Sequence, residues 1–191
     1  MSTNFSAAAD AILDGVVTSN PRVPGVVAMV TDRHRNIYEG AAGKRRIDQP
    51  ADMTADSVFA IFSTTKAITG TAILQLVEDG KLDLDAPISR YLPDYRADTG
   101  ARLTLRRLMS HSSGVPNQIL AARKDPATRG IELDQMEAVR RYASGDLAFA
   151  PGTAWDYSHS NWLIAKAIVE RVSGRSYAAL VDRLLVKPLG L

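Results

Sequence analysis

Strand pattern in this 191-residue sequence gathers in one place. Gly25 to Val30 is a short apolar, β-branched run, and Ile37-Tyr38-Glu39-Gly40 is a second. The polar stretch Asp32-Arg33-His34-Arg35-Asn36 between them predicts an antiparallel hairpin with His34 at its exposed tip. Ahead of it, Phe5, Ala8, Ala9, Ile12, Leu13, Val16 and Val17 recur at helical spacing, so residues 5–17 read as an amphipathic helix. After it come a polar, irregular stretch over 44–57 and then mainly helical patterns. A stripe through Ile68, Ala72, Ile73, Leu76 and Val77 runs to a stop at Gly80. A short helix is expected over 103–109, a loop over 115–130, and helices over 131–143, 161–172 and 177–185. Helix, hairpin, then helices is not the alternating rhythm of a parallel sheet. The length suits one domain or one and a fraction.

Composition narrows the function classes. Apolar residues are 46% and charged residues 23%, which suits a globular core and excludes a disordered tail or a coiled coil. The net charge is +2, with no clustered basic face, so no nucleic-acid partner is expected. There is no cysteine, hence no disulfide framework, thiolate metal site or cysteine nucleophile. No cofactor or metal site is expected; Asp83 and Asp85 precede a proline turn without metal-ligand company. The N-terminus lacks a basic start followed by an apolar stretch, and no apolar run is long enough to span a membrane. A cytoplasmic location is the default, unless a leader has been removed.

The chemistry-bearing candidate is Ser63-Thr64-Thr65-Lys66. An apolar segment, Val58 to Phe62, runs into Ser63, and the helical stripe starts just after it. Positions i and i+3 share a helix face, so the Lys66 amine reaches the Ser63 hydroxyl. A serine becomes a good nucleophile when a base takes its proton. A lysine serves as that base when its ammonium is destabilised, from an ordinary pKa of about 10.4 toward 7–8. The same spacing also describes a surface lysine one turn past a capping serine. The apolar or small flanks, Phe62 and Ala67-Ile68-Thr69-Gly70, favour a buried site. A second candidate, Tyr157, lies in the polar segment Pro151 to Asn161, ahead of an amphipathic helix. Near an ammonium its phenolate form is favoured, so it can carry protons; a tyrosine half-buried with a bonded hydroxyl fits the same pattern.

Together these segments resemble the serine β-lactamase and penicillin-binding superfamily. Within it they are most similar to class C β-lactamases, the small D-alanyl-D-alanine peptidases and the β-lactamase-like (family VIII) carboxylesterases. Further segments agree in order: Pro24-Gly25-Val26-Val27, Gly80-Lys81-Leu82-Asp83-Leu84-Asp85-Ala86-Pro87-Ile88, Leu108-Met109-Ser110-His111-Ser112-Ser113-Gly114, and Lys187-Pro188-Leu189-Gly190-Leu191. The resemblance implies an α/β fold of the β-lactamase/transpeptidase type: an antiparallel sheet flanked by helices plus a mostly helical subdomain. It reads 1–191 as the N-terminal portion of one catalytic domain, with helix and hairpin over about 1–57 and the helical region over 58–191. The sheet is then incomplete, and its open edge invites self-association. Ser63 is implied as the acylated nucleophile, Lys66 as its activating base and Tyr157 as the proton-handling partner. The Ser63 backbone N–H is implied as one oxyanion donor.

Two departures shape the functional expectation. Lactam-active relatives commonly carry asparagine two residues after the tyrosine; here it is His159, which cannot offer an amide's carbonyl and NH₂ together. His159 is therefore a substrate-binding candidate. The family's third motif, which also supplies the second oxyanion donor, does not occur over 158–191. The expected activity is a serine hydrolase, a carboxylesterase on short-chain esters, with a small ester or amide as substrate. A β-lactamase or D-alanyl-D-alanine carboxypeptidase, and a non-catalytic truncated relative, are the alternatives. No G-x-S-x-G elbow supports a Ser-His-Asp triad. His111 is expected to hold a turn, Trp155 and Trp162 to sit in the core, and Lys44-Arg45-Arg46 to be solvated.

Overall fold

The computed structural model of the chain describes residues 3–119, 124 and 134–191. They form two compact units, the first ending at Ala60 and the second running from Ile61 to Leu191.

In the first unit, helix α1 (Thr3–Ser19) precedes strands β1 (Gly25–Thr31) and β2 (Asn36–Gly43). The strands pair antiparallel, with Val26 opposite Ala42 and Ala28 opposite Gly40 and an irregularity between Val30 and Thr31. The second strand runs three residues past the apolar run that announced it, because Ala41, Ala42 and Gly43 still pair with β1. Alternation puts Tyr38, Gly40 and Ala42 on one face, and Tyr38 and Ala42 bury there with Leu13 of α1. Gly40 is required: a Cβ there would run into the Tyr38 hydroxyl and lie 3.1 Å from Leu13 Cδ1. Tyr38 donates its hydroxyl to Asp10 Oδ1 at 2.7 Å. That carboxylate, helped by desolvation, pushes the phenol up to about 12. At the hairpin tip, Asp32 Oδ1 accepts the backbone N–H groups of His34 and Arg35, the local turn chemistry expected of aspartate. Lys44 and Arg46 form exposed ion pairs with Asp52 and Asp48, as expected for a solvated loop.

The second unit opens with a 3₁₀ turn (Phe62–Thr64) that leads into α2 (Thr65–Glu78). Beyond Gly80, whose φ of +69° stops α2, come α3 (Ala97–Gly100) and α4 (Leu105–Met109), the latter capped by Thr104. Helix α5 (Gln135–Tyr142) starts at its Asp134 cap, which accepts the N–H groups of Met136 and Glu137. The expected start at 131 lies outside the described residues, as does most of the loop expected over 115–130. Helix α6 (His159–Ser173) begins two residues before expectation and ends at Gly174 in the left-handed conformation. Helix α7 (Tyr177–Val181) passes through a π-helical turn (Asp182–Val186) into α8 (Lys187–Leu189). The core is built from Ile73 and Leu76 of α2, Leu105 and Leu108 of α4, and Ile164 and Ile168 of α6. Among the described residues, no helix is long and apolar enough to cross a membrane.

Candidate active site

Ser63 sits in the 3₁₀ turn at the head of α2, not inside the α-helix proper. One turn on, Lys66 Nζ donates to Ser63 Oγ at 3.1 Å. The i, i+3 spacing therefore does bring amine and hydroxyl together. The burial expected from the flanks is not met: Ser63 is exposed and Phe62 is 83% exposed. An apolar flank states a preference for burial, but exposure depends on what packs against it.

The backbone at this turn is unusual. Phe62 has φ +42°, and His111 has φ +60°; these are the non-glycine residues with positive φ among the described residues. Left-handed conformations are uncommon for side chains with a Cβ and gather where a fold must hold a particular geometry. Here one precedes Ser63 and the other lies against Tyr157.

Tyr157 arrives from a segment 94 residues further along, and its hydroxyl lies 2.8 Å from Ser63 Oγ. Lys66 Nζ is 5.0 Å from the centre of its ring. An ammonium can only donate. With Lys66 donating to Ser63 Oγ, the serine proton is free to point at the Tyr157 oxygen. The Lys66 ammonium first, and the Ser63 hydroxyl second, hold the Tyr157 phenol below its ordinary value of 10.0; desolvation works against them.

The segment carrying Tyr157 is fastened to the turn after α4. Gly152 donates its N–H to the Ser112 carbonyl at 2.7 Å, and Asp156 donates its N–H to the His111 carbonyl at 3.0 Å. Ser158 donates its N–H to His111 Nδ1 at 3.1 Å, and Trp162 Nε1 lies 3.2 Å from His111 Nε2; the neutral imidazole has one lone pair and accepts from one of the two at a time. The His111 ring is buried and stacks on the Tyr157 ring, with centres 4.4 Å apart and planes 28° apart. Burial above all, then the positive charge of Lys66 and the neighbouring His159, lowers the His111 pKa from 6.5, against the pull of Asp156. Asn117 adds a clasp: its Nδ2 donates to the Tyr157 carbonyl and its Oδ1 accepts the His159 N–H.

His159 occupies the first turn of α6, edge-on to Tyr157 with ring centres 5.2 Å apart. It lines a pocket of about 270 Å³ together with Lys66, Ile119, Trp162 and Lys166. Trp162 is partly buried, but Trp155 is 66% exposed. The core placement expected for Trp155 is thus corrected: its ring meets His111 edge-on at 6.0 Å, leaving most of its surface to solvent. Sequence reasoning missed the reach of His111 and the whole of Asn117, since both act on residues 40 or more positions away.

The family model described as Beta-lactamase matches residues 8–191. Among curated proteins, the chain is 36% identical to Esterase EstB from Burkholderia gladioli, over 98% of this chain and 50% of that protein. A solved D-stereospecific amidohydrolase from Streptomyces sp. superposes with a TM-score of 0.78 at 30% identity, covering 97% of this chain and 55% of that one. D-amino acid amidase from Ochrobactrum anthropi SV3, complexed with D-phenylalanine, gives a TM-score of 0.82 at 26% identity, over 99% and 51% of the two chains. The chain thus spans about half the length of EstB and of these two structures.

Proposed function

Because this chain belongs to the β-lactamase family, we propose that it carries the nucleophile-bearing part of a serine hydrolase that forms an acyl-enzyme on Ser63. The observation that carries this reading is the convergence on one oxygen: Ser63 Oγ is 2.8 Å from Tyr157 Oη and 3.1 Å from Lys66 Nζ. Ser63 Oγ attacks the carbonyl carbon of the substrate, and its proton passes to Tyr157 Oη, which accepts it as the phenolate beside the Lys66 ammonium. The pair returns that proton to the leaving oxygen as the acyl bond breaks. Water then attacks the acyl carbon and gives its proton to the same pair, which passes it to Ser63 Oγ as the acyl–oxygen bond breaks and the acid leaves. The Ser63 backbone N–H serves as one oxyanion donor; losing such a donor typically costs about 10²–10³ in rate.

The substrate class we favour is a short-chain ester. Similarity to an esterase supports it, as does His159 in place of an amide side chain two residues past Tyr157. The pocket of about 270 Å³ beside Lys66 and His159 has room for a short acyl group. A second reading, hydrolysis of a small amide, draws on the likeness to an amidohydrolase and an amidase. The test is hydrolysis of p-nitrophenyl butyrate by the chain and by Ser63→Ala. Turnover that vanishes in the variant is the expected result; equal rates overturn the proposal. Turnover of D-phenylalanine amide without ester turnover selects the second reading. A Ser63-dependent adduct with labelled penicillin and neither turnover selects the penicillin-binding alternative.

A further inference from the structure

We propose that His111 is a positioning residue for Tyr157, fixing the phenol against Ser63 and Lys66. The inference rests on the reading of Ser63, Lys66 and Tyr157 given above, and adds a residue that acts through one of them. His111 meets the tyrosine from three directions. Its carbonyl takes the N–H of the residue before, Asp156. Its Nδ1 takes the N–H of the residue after, Ser158. Its ring lies nearly flat on the phenol ring at 4.4 Å. The two hydrogen bonds set where the backbone of Tyr157 runs, and the stack sets which way its ring points.

The backbone supports the same conclusion. His111 sits at φ +60°, where glycine carries no Cβ penalty. Histidine is among the side chains that enter this region most readily, so the turn can be held while the imidazole is kept against the phenol. The ring is also held neutral by its surroundings. Ser158 N–H faces Nδ1 and Trp162 Nε1–H faces Nε2; a neutral ring accepts from one of them, and an imidazolium from neither. Lys66 and His159 add to this, and Asp156 opposes it. A neutral ring stacked on the phenol adds no charge of its own beside Tyr157, whose ring centre lies 5.0 Å from Lys66 Nζ.

The test follows the Tyr157 phenol directly, by NMR titration of the chain labelled with ¹³Cζ-tyrosine and assigned with Tyr157→Phe. His111→Asn tolerates the left-handed backbone and removes the stacked ring. His111→Phe keeps a ring and removes the acceptor. In each variant we expect the Tyr157 pKa to rise toward 10. Labelling of Ser63 by a fluorophosphonate probe should slow by about 10-fold to 10²-fold, the scale of a misplaced catalytic group. Cooperative urea unfolding should be retained. Wild-type titration and labelling in His111→Asn overturn the proposal. Should both variants fail to fold, the unmodified chain decides: a ring-to-ring NOE between His111 and Tyr157 supports the proposal, and its absence overturns it. If the unmodified chain is not labelled at Ser63, the hydrolase reading fails, while the Tyr157 titration still reports on His111.

Discussion

Tyr157 Oη and Ser63 Oγ are 2.8 Å apart although 94 residues separate them in the sequence. The contact gives the serine proton somewhere to go while Lys66 donates to the same oxygen. Tyr157→Phe keeps the ring and the stack on His111 but removes the acceptor. Ser63 labelling or ester turnover should fall by about 10²–10⁴, the range for general acid–base catalysis. A rate unchanged by Tyr157→Phe would show that the phenol oxygen takes no part.

Lys66 is the first cause of the lowered Tyr157 pKa. Lys66→Met should therefore raise the phenol toward 10.0. The linkage has a definite sign. A depressed phenol pKa adds stability that is complete above the unfolded value and is lost as pH falls through the folded one. Alkaline urea titrations of wild type and Lys66→Met should thus diverge in the window just below pH 10. Parallel curves there would count against the electrostatic link.

His111 titrates in the opposite range. Its folded pKa lies below 6.5, so under pH 6.5 the unfolded chain binds a proton that the native ring refuses. Stability from this site is full above 6.5 and declines as pH falls toward the folded value. The urea midpoint should drop between pH 7.5 and 5.5, and by less in His111→Asn. An equal drop in both would assign the acid sensitivity to other groups.

Ile164 is fully buried in α6 among core residues of the second unit. Ile164→Ala should destabilise the chain by about 2–5 kcal/mol, read as a lower urea midpoint at unchanged m-value. A loss under about 1 kcal/mol would mean that the core collapses around the gap.

Much of this was readable before any coordinates. The hairpin follows from β-branched runs around a polar turn, and the Ser63–Lys66 pair from three-residue spacing on a helix. Both are local, so nearby residues determine them. Tyr157 stands out by its polar segment at a helix entry, but only the resemblance to a family joins it to Ser63, since no local rule brings residue 157 to residue 63. His111 and Asn117 lay beyond reach for the same reason: their role rests on bonds across more than 39 positions. Exposure was the other blind spot. Phe62 and Trp155 are apolar and aromatic, yet 83% and 66% exposed, because burial belongs to the surroundings and not to the residue type. The π-helical turn at Asp182–Val186 has no periodicity that would set it apart from the α-helical reading of 177–185.

The fastening of the Tyr157 segment to His111 has a consequence for how this site fails. Ser63 and Lys66 share one helical turn, so their spacing survives as long as that turn does. Tyr157 keeps its place through bonds between two loops. Heat or denaturant should part the loops before it melts the helix, because bonds between distant stretches of chain are lost when either loop opens. The site would then come apart in order: the proton acceptor leaves while the nucleophile and its lysine are still paired, and reactivity fades ahead of the fold.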